Sequence, residues 1–198
     1  MRDRLAPAAW RAATAARRVR ALAGLTLAMA LCVCVRARAQ EVQLEYAVKA
    51  TYLYKFADYV DWPDGTFRAP DAPLVVCLVG NDGVAQLADA LVAGHTTLEG
   101  RPVVARRIAA PSRDAGCHVL YVGARSAAAT QEAVRAARGL PVLTVTDTRN
   151  DDAARGIIAF VIVDNRVRFD VDLAAAAQNH LAISSKLLNL AARVRQNP

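Results

Sequence analysis

Leu74-Val-Val-Cys-Leu-Val-Gly80 carries no polar side chain along its length. A strand with one face in water alternates apolar and polar residues, whereas an unbroken apolar run belongs to a strand covered on both faces, as at the centre of a parallel sheet. This one segment therefore requires a layer of helix on each side of a sheet. The sequence that follows supplies the layers: a helix over Val84 to Val92, a strand over Pro102 to Ile108, a strand over His118 to Gly123, a helix over Ser126 to Arg138 and a strand over Val142 to Asp147. Strands alternating with short helices predict crossovers and mostly parallel pairing.

Before this run, Leu44, Val48, Tyr52, Leu53, Phe56 and Val60 recur at spacings of three and four, and Glu45 and Lys49 stand as an i,i+4 ion pair. The pattern predicts an amphipathic helix over Glu41 to Val60 that stops at Trp62-Pro63, because proline disfavours helical geometry in the residue before it. After the run, Gly156 to Val163 and Arg166 to Asp172 flank Asp164-Asn165, two residues that tolerate positive φ, and so predict an antiparallel hairpin. Val167, Phe169 and Val171 alternate with Arg168, Asp170 and Asp172, which turns one face of the last strand toward water or a partner. Ser184 caps a final helix whose stripe Leu187, Leu188, Ala191 and Val194 docks inward. The expected fold is a single-domain α/β protein: a mostly parallel sheet of about six strands with a C-terminal antiparallel hairpin, flanked by helices.

The chain opens with arginines at 2, 4, 11, 17, 18 and 20, continues with the uncharged, mostly apolar stretch Ala21 to Val35, and reaches Ala37-Arg38-Ala39, an A-x-A cleavage pattern. That stretch falls short of the roughly 20 residues a membrane-spanning helix needs, so residues 1–39 read as a secretory signal peptide and residues 40–198 as the exported domain. Leu31 and Val33, ahead of Cys32 and Cys34, are too large for a lipidation site. The formal charge of +7 comes from this leader. Residues 1–39 hold eight of the 25 basic residues and one of the 18 acidic ones, so 17 of each remain. A balanced domain gives no reason to expect nucleic acid as a partner.

Removing the leader also removes two of four cysteines and leaves Cys77 and Cys117. A lone pair in an oxidising compartment is expected to form a disulfide, the alternative being two buried free thiols. No arrangement of the remaining residues supports a reaction, and the protein is not expected to be an enzyme. His95, His118 and His180 lack metal-ligand spacing, so neither a metal nor another cofactor is expected. Cys117 and His118 are adjacent and face opposite sides of a strand, and Ser184-Ser185-Lys186 is a dyad in composition only. Asp58, Asp61 and Asp64, and likewise Asp147, Asp151 and Asp152, read as caps and turns because calcium loops need converging oxygens at defined offsets. Gly80-Asn81-Asp82-Gly83 is a turn and helix cap without the spacing of a dinucleotide or phosphate loop.

Two stretches carry a family likeness. Val48-Lys49-Ala50 through Phe56 to Val60-Asp61-Trp62-Pro63, and Phe169-Asp-Val-Asp-Leu173 leading to Leu181-Ala-Ile-Ser184-Ser185-Lys186-Leu187-Leu188, resemble the opening and closing signatures of the YfiR-like family of bacterial periplasmic proteins. Gly100-Arg101-Pro102 and Cys117-His118-Val119-Leu120-Tyr121 match between them. The resemblance implies a periplasmic repressor that holds the sensor region of an inner-membrane diguanylate cyclase inactive, lowers cyclic di-GMP and biofilm growth, and is itself captured by an OmpA-like outer-membrane lipoprotein. Cys77 and Cys117 sit where the family's retained pair is expected. Segment 147–156 departs from the family, having no cysteine where members carry a second pair and no Gly-Gly turn ahead of its strand.

The contact surface is expected on the charged face of the last strand, with Asp170 pointing outward, and in the hinge after it, at Leu173, Leu181 and Ile183. The rival expectation is a small-ligand sensor using the cleft at the carboxyl ends of the strands that close at Gly80 and Gly123. A homodimer is the further partner the sequence leaves open.

Overall fold

Leu74–Gly80 forms the strand that its composition predicts, and Leu74 to Leu78 are buried on both faces of a sheet. The computed structural model describes residues 40–80, 82–123, 126–147 and 154–196, so residues 1–39, expected to be a signal peptide and holding Cys32 and Cys34, lie outside the described residues, as do Asn81, Asp151 and Asp152. The chain divides into two units, Met1–Gln43 and Leu44–Pro198. The described residues of the first, 40–43, are helical.

The second unit starts with helix α1 over 44–55, continued by a 3-10 turn at Phe56–Tyr59. Its strands are β1 (Val60–Asp61), β2 (Leu74–Gly80), β3 (Val103–Arg107), β4 (Val119–Gly123), β5 (Leu143–Asp147), β6 (Ile158–Val163), β7 (Arg166–Asp172), β8 (Ala182–Ile183) and β9 (Arg193–Arg195). The remaining helices are α2 (Gly83–Val92), α3 (Ala127–Ala136), α4 (Leu173–Gln178) and α5 (Ser185–Leu188). Among the described residues, seven strands make one sheet in the order β3-β2-β4-β5-β6-β7-β9. β3 through β6 pair in parallel, β6 and β7 antiparallel. Asp164 and Asn165 take φ of 48° and 58° at the hairpin turn, the conformation expected of that dipeptide.

Each face of the sheet has its own core. Val76, Leu78, Val119, Tyr121, Leu143, Val145, Ile158, Phe160, Phe169 and Val171 meet α1, α2 and the closing segment on one face. Val75, Cys77, Leu120 and Val122 meet Ala133 and Ala137 of α3 on the other, with Val142 alongside. Cys77 and Cys117 are joined as a disulfide on this second face, their Cα atoms 5.6 Å apart, within the usual span of about 4.4–6.8 Å.

The closing segment corrects the expected final helix. That helix is only four residues long, and the chain then turns to give β9, which pairs in parallel with β7 through Asp170↔Arg193, Val171↔Val194 and Asp172↔Arg195. Arg193-Val194-Arg195 has the period of a strand, and the backbone groups along the outer edge of β7 take it as a partner. The hinge holds an unexpected helix, α4, begun by Asp172, whose side chain accepts from the Ala175 amide at 2.8 Å. β8 then pairs antiparallel with β1, which ties the end of the first helical stretch to the closing segment.

Candidate interaction surface

Burial separates the proposed contact residues into two kinds. Asp170 is 6 % exposed, and its carboxylate lies 2.8 Å from the Arg155 guanidinium. The expectation that it points outward is thus corrected. Alternation does turn Asp170 away from the aromatic core of its neighbour Phe169, but the stretch entering β6, with Ala154 buried and Arg155 reaching across, covers that side of the sheet. The same stretch is pinned by the β5 hydroxyls: Thr144 accepts from the Ile157 amide and Thr146 from the Gly156 amide. Arg166 and Arg168 remain exposed on β7.

Leu181 is 5 % exposed and belongs to the core. Leu173 and Ile183 are only partly buried against it. Ile183 stands opposite Val60 in the β1–β8 ribbon, and the Ser184 amide continues the pairing by donating to the Tyr59 carbonyl at 2.9 Å. Ser184 then caps α5, accepting from the Lys186 amide. The closing segment accordingly leaves Leu173 at the start of α4, Ile183 on the β1–β8 ribbon and Leu188 at the end of α5 half-buried.

The crevice at the carboxyl ends of β2 and β4 is filled, among the described residues, by the protein's own side chains. Asp82 caps α2 through the Ala85 amide and accepts from the Tyr121 hydroxyl at 2.6 Å. A β-carbon at Gly123 would collide with that carboxylate, and one at Gly83 with the ring of Tyr46 on α1. Beside them Lys49 is fully buried, 2.5 Å from Asp147 at the end of β5 and 2.6 Å from Glu45 one turn back on α1. The predicted Glu45–Lys49 pair is present, but Lys49 faces inward; nothing in helical periodicity marks a lysine for burial. Burial, and then the charge of Asp82 and its hydrogen bond, push the Tyr121 hydroxyl well above its ordinary range, so it stays protonated and donating.

The other candidate residues serve the fold. Asp58 accepts from the Leu98 amide at 2.8 Å, while Asp61 and Asp64 are exposed. Tyr54 stacks on His95. His118 faces away from Cys117, stacked on Phe67 with ring centroids 4.4 Å apart and Trp62 edge-on to it, and the Arg101 guanidinium lies over the Phe67 ring, 4.0 Å from its centroid. The Nδ1 atom of His118 accepts from the Val75 amide at 3.0 Å. Burial lowers its pKa from 6.5; the Thr66 backbone opposes the shift and the Arg101 charge adds to it.

A depressed histidine pKa has a definite sign. The unfolded chain takes up a proton as pH drops below 6.5 while folded His118 resists it, so stability present above 6.5 is lost on acidification through the folded pKa. Urea unfolding at pH 7, 6 and 5 should show a decline of up to about 1.4 kcal/mol per pH unit from this one site. His118→Gln should flatten that part of the profile, and parallel profiles for the two proteins would refute the assignment.

Residues 46–192, from Tyr46 on α1 to the residue before β9, match the family model described as YfiR/HmsC-like.

Proposed function

Because this chain belongs to the YfiR/HmsC-like family, we propose that it is a periplasmic repressor that binds the periplasmic sensor region of an inner-membrane diguanylate cyclase and lowers cyclic di-GMP. The match supports the coarser part of this reading, a periplasmic regulator of cyclic di-GMP signalling that acts through a membrane protein partner and not through catalysis. Export by a leader cleaved after Ala39 fits that compartment. An OmpA-like outer-membrane lipoprotein competing for the repressor would supply release.

A repressor of this kind works by preferring one conformation of its partner. Moving a two-state cyclase from 1:99 to 99:1 takes about 5.5 kcal/mol of differential binding, which an interface of roughly 800 Å² per partner can supply when a few apolar residues anchor it. The observation that supports a docking role here is the half-buried set Leu173, Ile183 and Leu188, of which Ile183 sits on a ribbon that Val60 and Tyr59 hold in place. Leu181 belongs to the core beneath this surface, while Asp170 is buried against Arg155 on the other face of the sheet, and replacing either would test folding first.

Ile183→Glu should reduce capture of the cyclase periplasmic region at least tenfold, with the melting temperature held within about 3 °C, because the side chain is only half-buried. Deleting the gene should raise cyclic di-GMP. Undiminished capture by the variant would move the interface elsewhere, and unchanged cyclic di-GMP in the deletion under all growth conditions would reject cyclase repression.

A further inference from the structure

Along the outer side of α1 runs a groove that the core does not use. Leu53, Tyr54 and Ala50 turn inward, which leaves Val48 and Tyr52 half-buried along the outer flank of the helix. Leu190, 57 % exposed, faces them from the turn after α5. The floor is cut down to core residues: Phe56 at 1 %, Phe169 at 3 % and Leu187 at 2 % exposure. The cavity measures about 440 Å³, inside the range of about 300–1,000 Å³ typical of small-molecule sites.

The lining selects against polar ligands. The Thr51 hydroxyl is already spent on the Ala47 carbonyl at 2.9 Å, so that residue offers the groove its methyl group. Tyr52 presents ring surface, stacked on Phe56 with centroids 5.3 Å apart. A sugar or nucleotide would lose its hydration here and gain few hydrogen bonds in return. One charge stands at the site. Lys55 is exposed, its Nζ lies 5.4 Å from the centroid of the Tyr54 ring, and no carboxylate among the described residues pairs with it.

Lining and charge then point to the occupant. A single alkyl chain fits an apolar trough of this volume, and an unpaired ammonium at its edge complements an anionic head. We propose that the groove binds a free single-chain amphiphile with an anionic headgroup, such as a fatty-acid carboxylate, with its chain over Phe56, Phe169 and Leu187 and its head at Lys55. The groove adjoins the surface of Leu173, Ile183 and Leu188 through Tyr59 and α5, so Ile183→Glu, outside the groove lining, tests the docking reading and Lys55→Glu tests this one.

Laurate below its micelle concentration is the probe, titrated calorimetrically into the full chain as cells produce and process it, with dodecyltrimethylammonium and dodecanol as the cationic and neutral counterparts. Laurate should bind one to one and at least tenfold more tightly than either counterpart. Lys55→Glu, at an exposed position, should weaken laurate at least tenfold and improve dodecyltrimethylammonium; Leu190→Asp should also weaken laurate by placing a carboxylate on the groove wall. Absence of laurate binding to the wild type, or undiminished binding by Lys55→Glu, would overturn the proposal. So would binding to phosphatidylglycerol vesicles without binding to free laurate, which would make the groove a membrane contact.

Discussion

Lys49→Met is expected to lower the unfolding free energy by about 3–5 kcal/mol, the usual result of removing one member of a buried ion pair. The ammonium is fully buried between Glu45 and Asp147, and it lies 5.7 Å from the centroid of the Phe160 ring. Taking it away leaves two carboxylates, 13 % and 6 % exposed, facing a methyl group in a low-dielectric pocket. For a domain of this size the loss corresponds to roughly 2–4 °C of melting temperature per kcal/mol. Lys49→Met combined with Asp147→Leu should recover a large part of it, because a well-packed apolar pair often matches a buried ionic one. Urea denaturation of the single and double variants provides the cycle; a loss below about 1 kcal/mol for the single variant would show that the charge contributes little to holding α1 on the sheet.

Opening the Cys77–Cys117 bond is the second large effect. The two residues are 40 apart in sequence, and closing a loop of that length is worth about 4 kcal/mol on the chain-entropy account. Against a typical domain stability of roughly 5–15 kcal/mol, such a loss brings the protein near its unfolding threshold at growth temperature. Unfolding of the oxidised protein and of the Cys77→Ala, Cys117→Ala variant should differ by about that amount. Because Cys77 is fully buried beside Leu120 and Val122, the variant also gives up some packing, so reduction of the wild type is the cleaner comparison. Equal midpoints for oxidised and reduced protein would remove the crosslink from any account of stability.

The central strands were legible because their signal is local: a doubly covered strand must be apolar on both faces, and Leu74–Gly80 is. The β6–β7 hairpin was legible for the same reason, since Asp164 and Asn165 set its turn and the alternation along β7 sets its register. What escaped depends on distant partners. Arg193–Arg195 sits within a helical stripe when read alone, and only the waiting edge of β7 makes it a strand. Asp170 obeys alternation yet is buried, because periodicity assigns a face and cannot say that the segment before β6 crosses over it. Lys49 was visible as half of a helix-surface pair; its second partner, Asp147, is 98 residues away. The groove was present in the sequence as surplus: Val48 and Tyr52 were counted into the apolar stripe of α1, and the stripe proved wider than the core it had to cover. Leu44, 65 % exposed, belongs to the same surplus.

The ribbon that joins Val60–Asp61 to Ala182–Ile183 also constrains when this protein can become itself. A ribosome delivers the opening helix first and the closing strands last, so the earliest segment waits, unpartnered on that side, until nearly the whole polypeptide has emerged. Such a non-local pairing slows folding, because the entropy of closing the intervening chain is spent before the contact rewards it. A chaperone that shields the apolar flank of the first helix during that interval would be guarding the very surface that remains partly uncovered in the finished molecule.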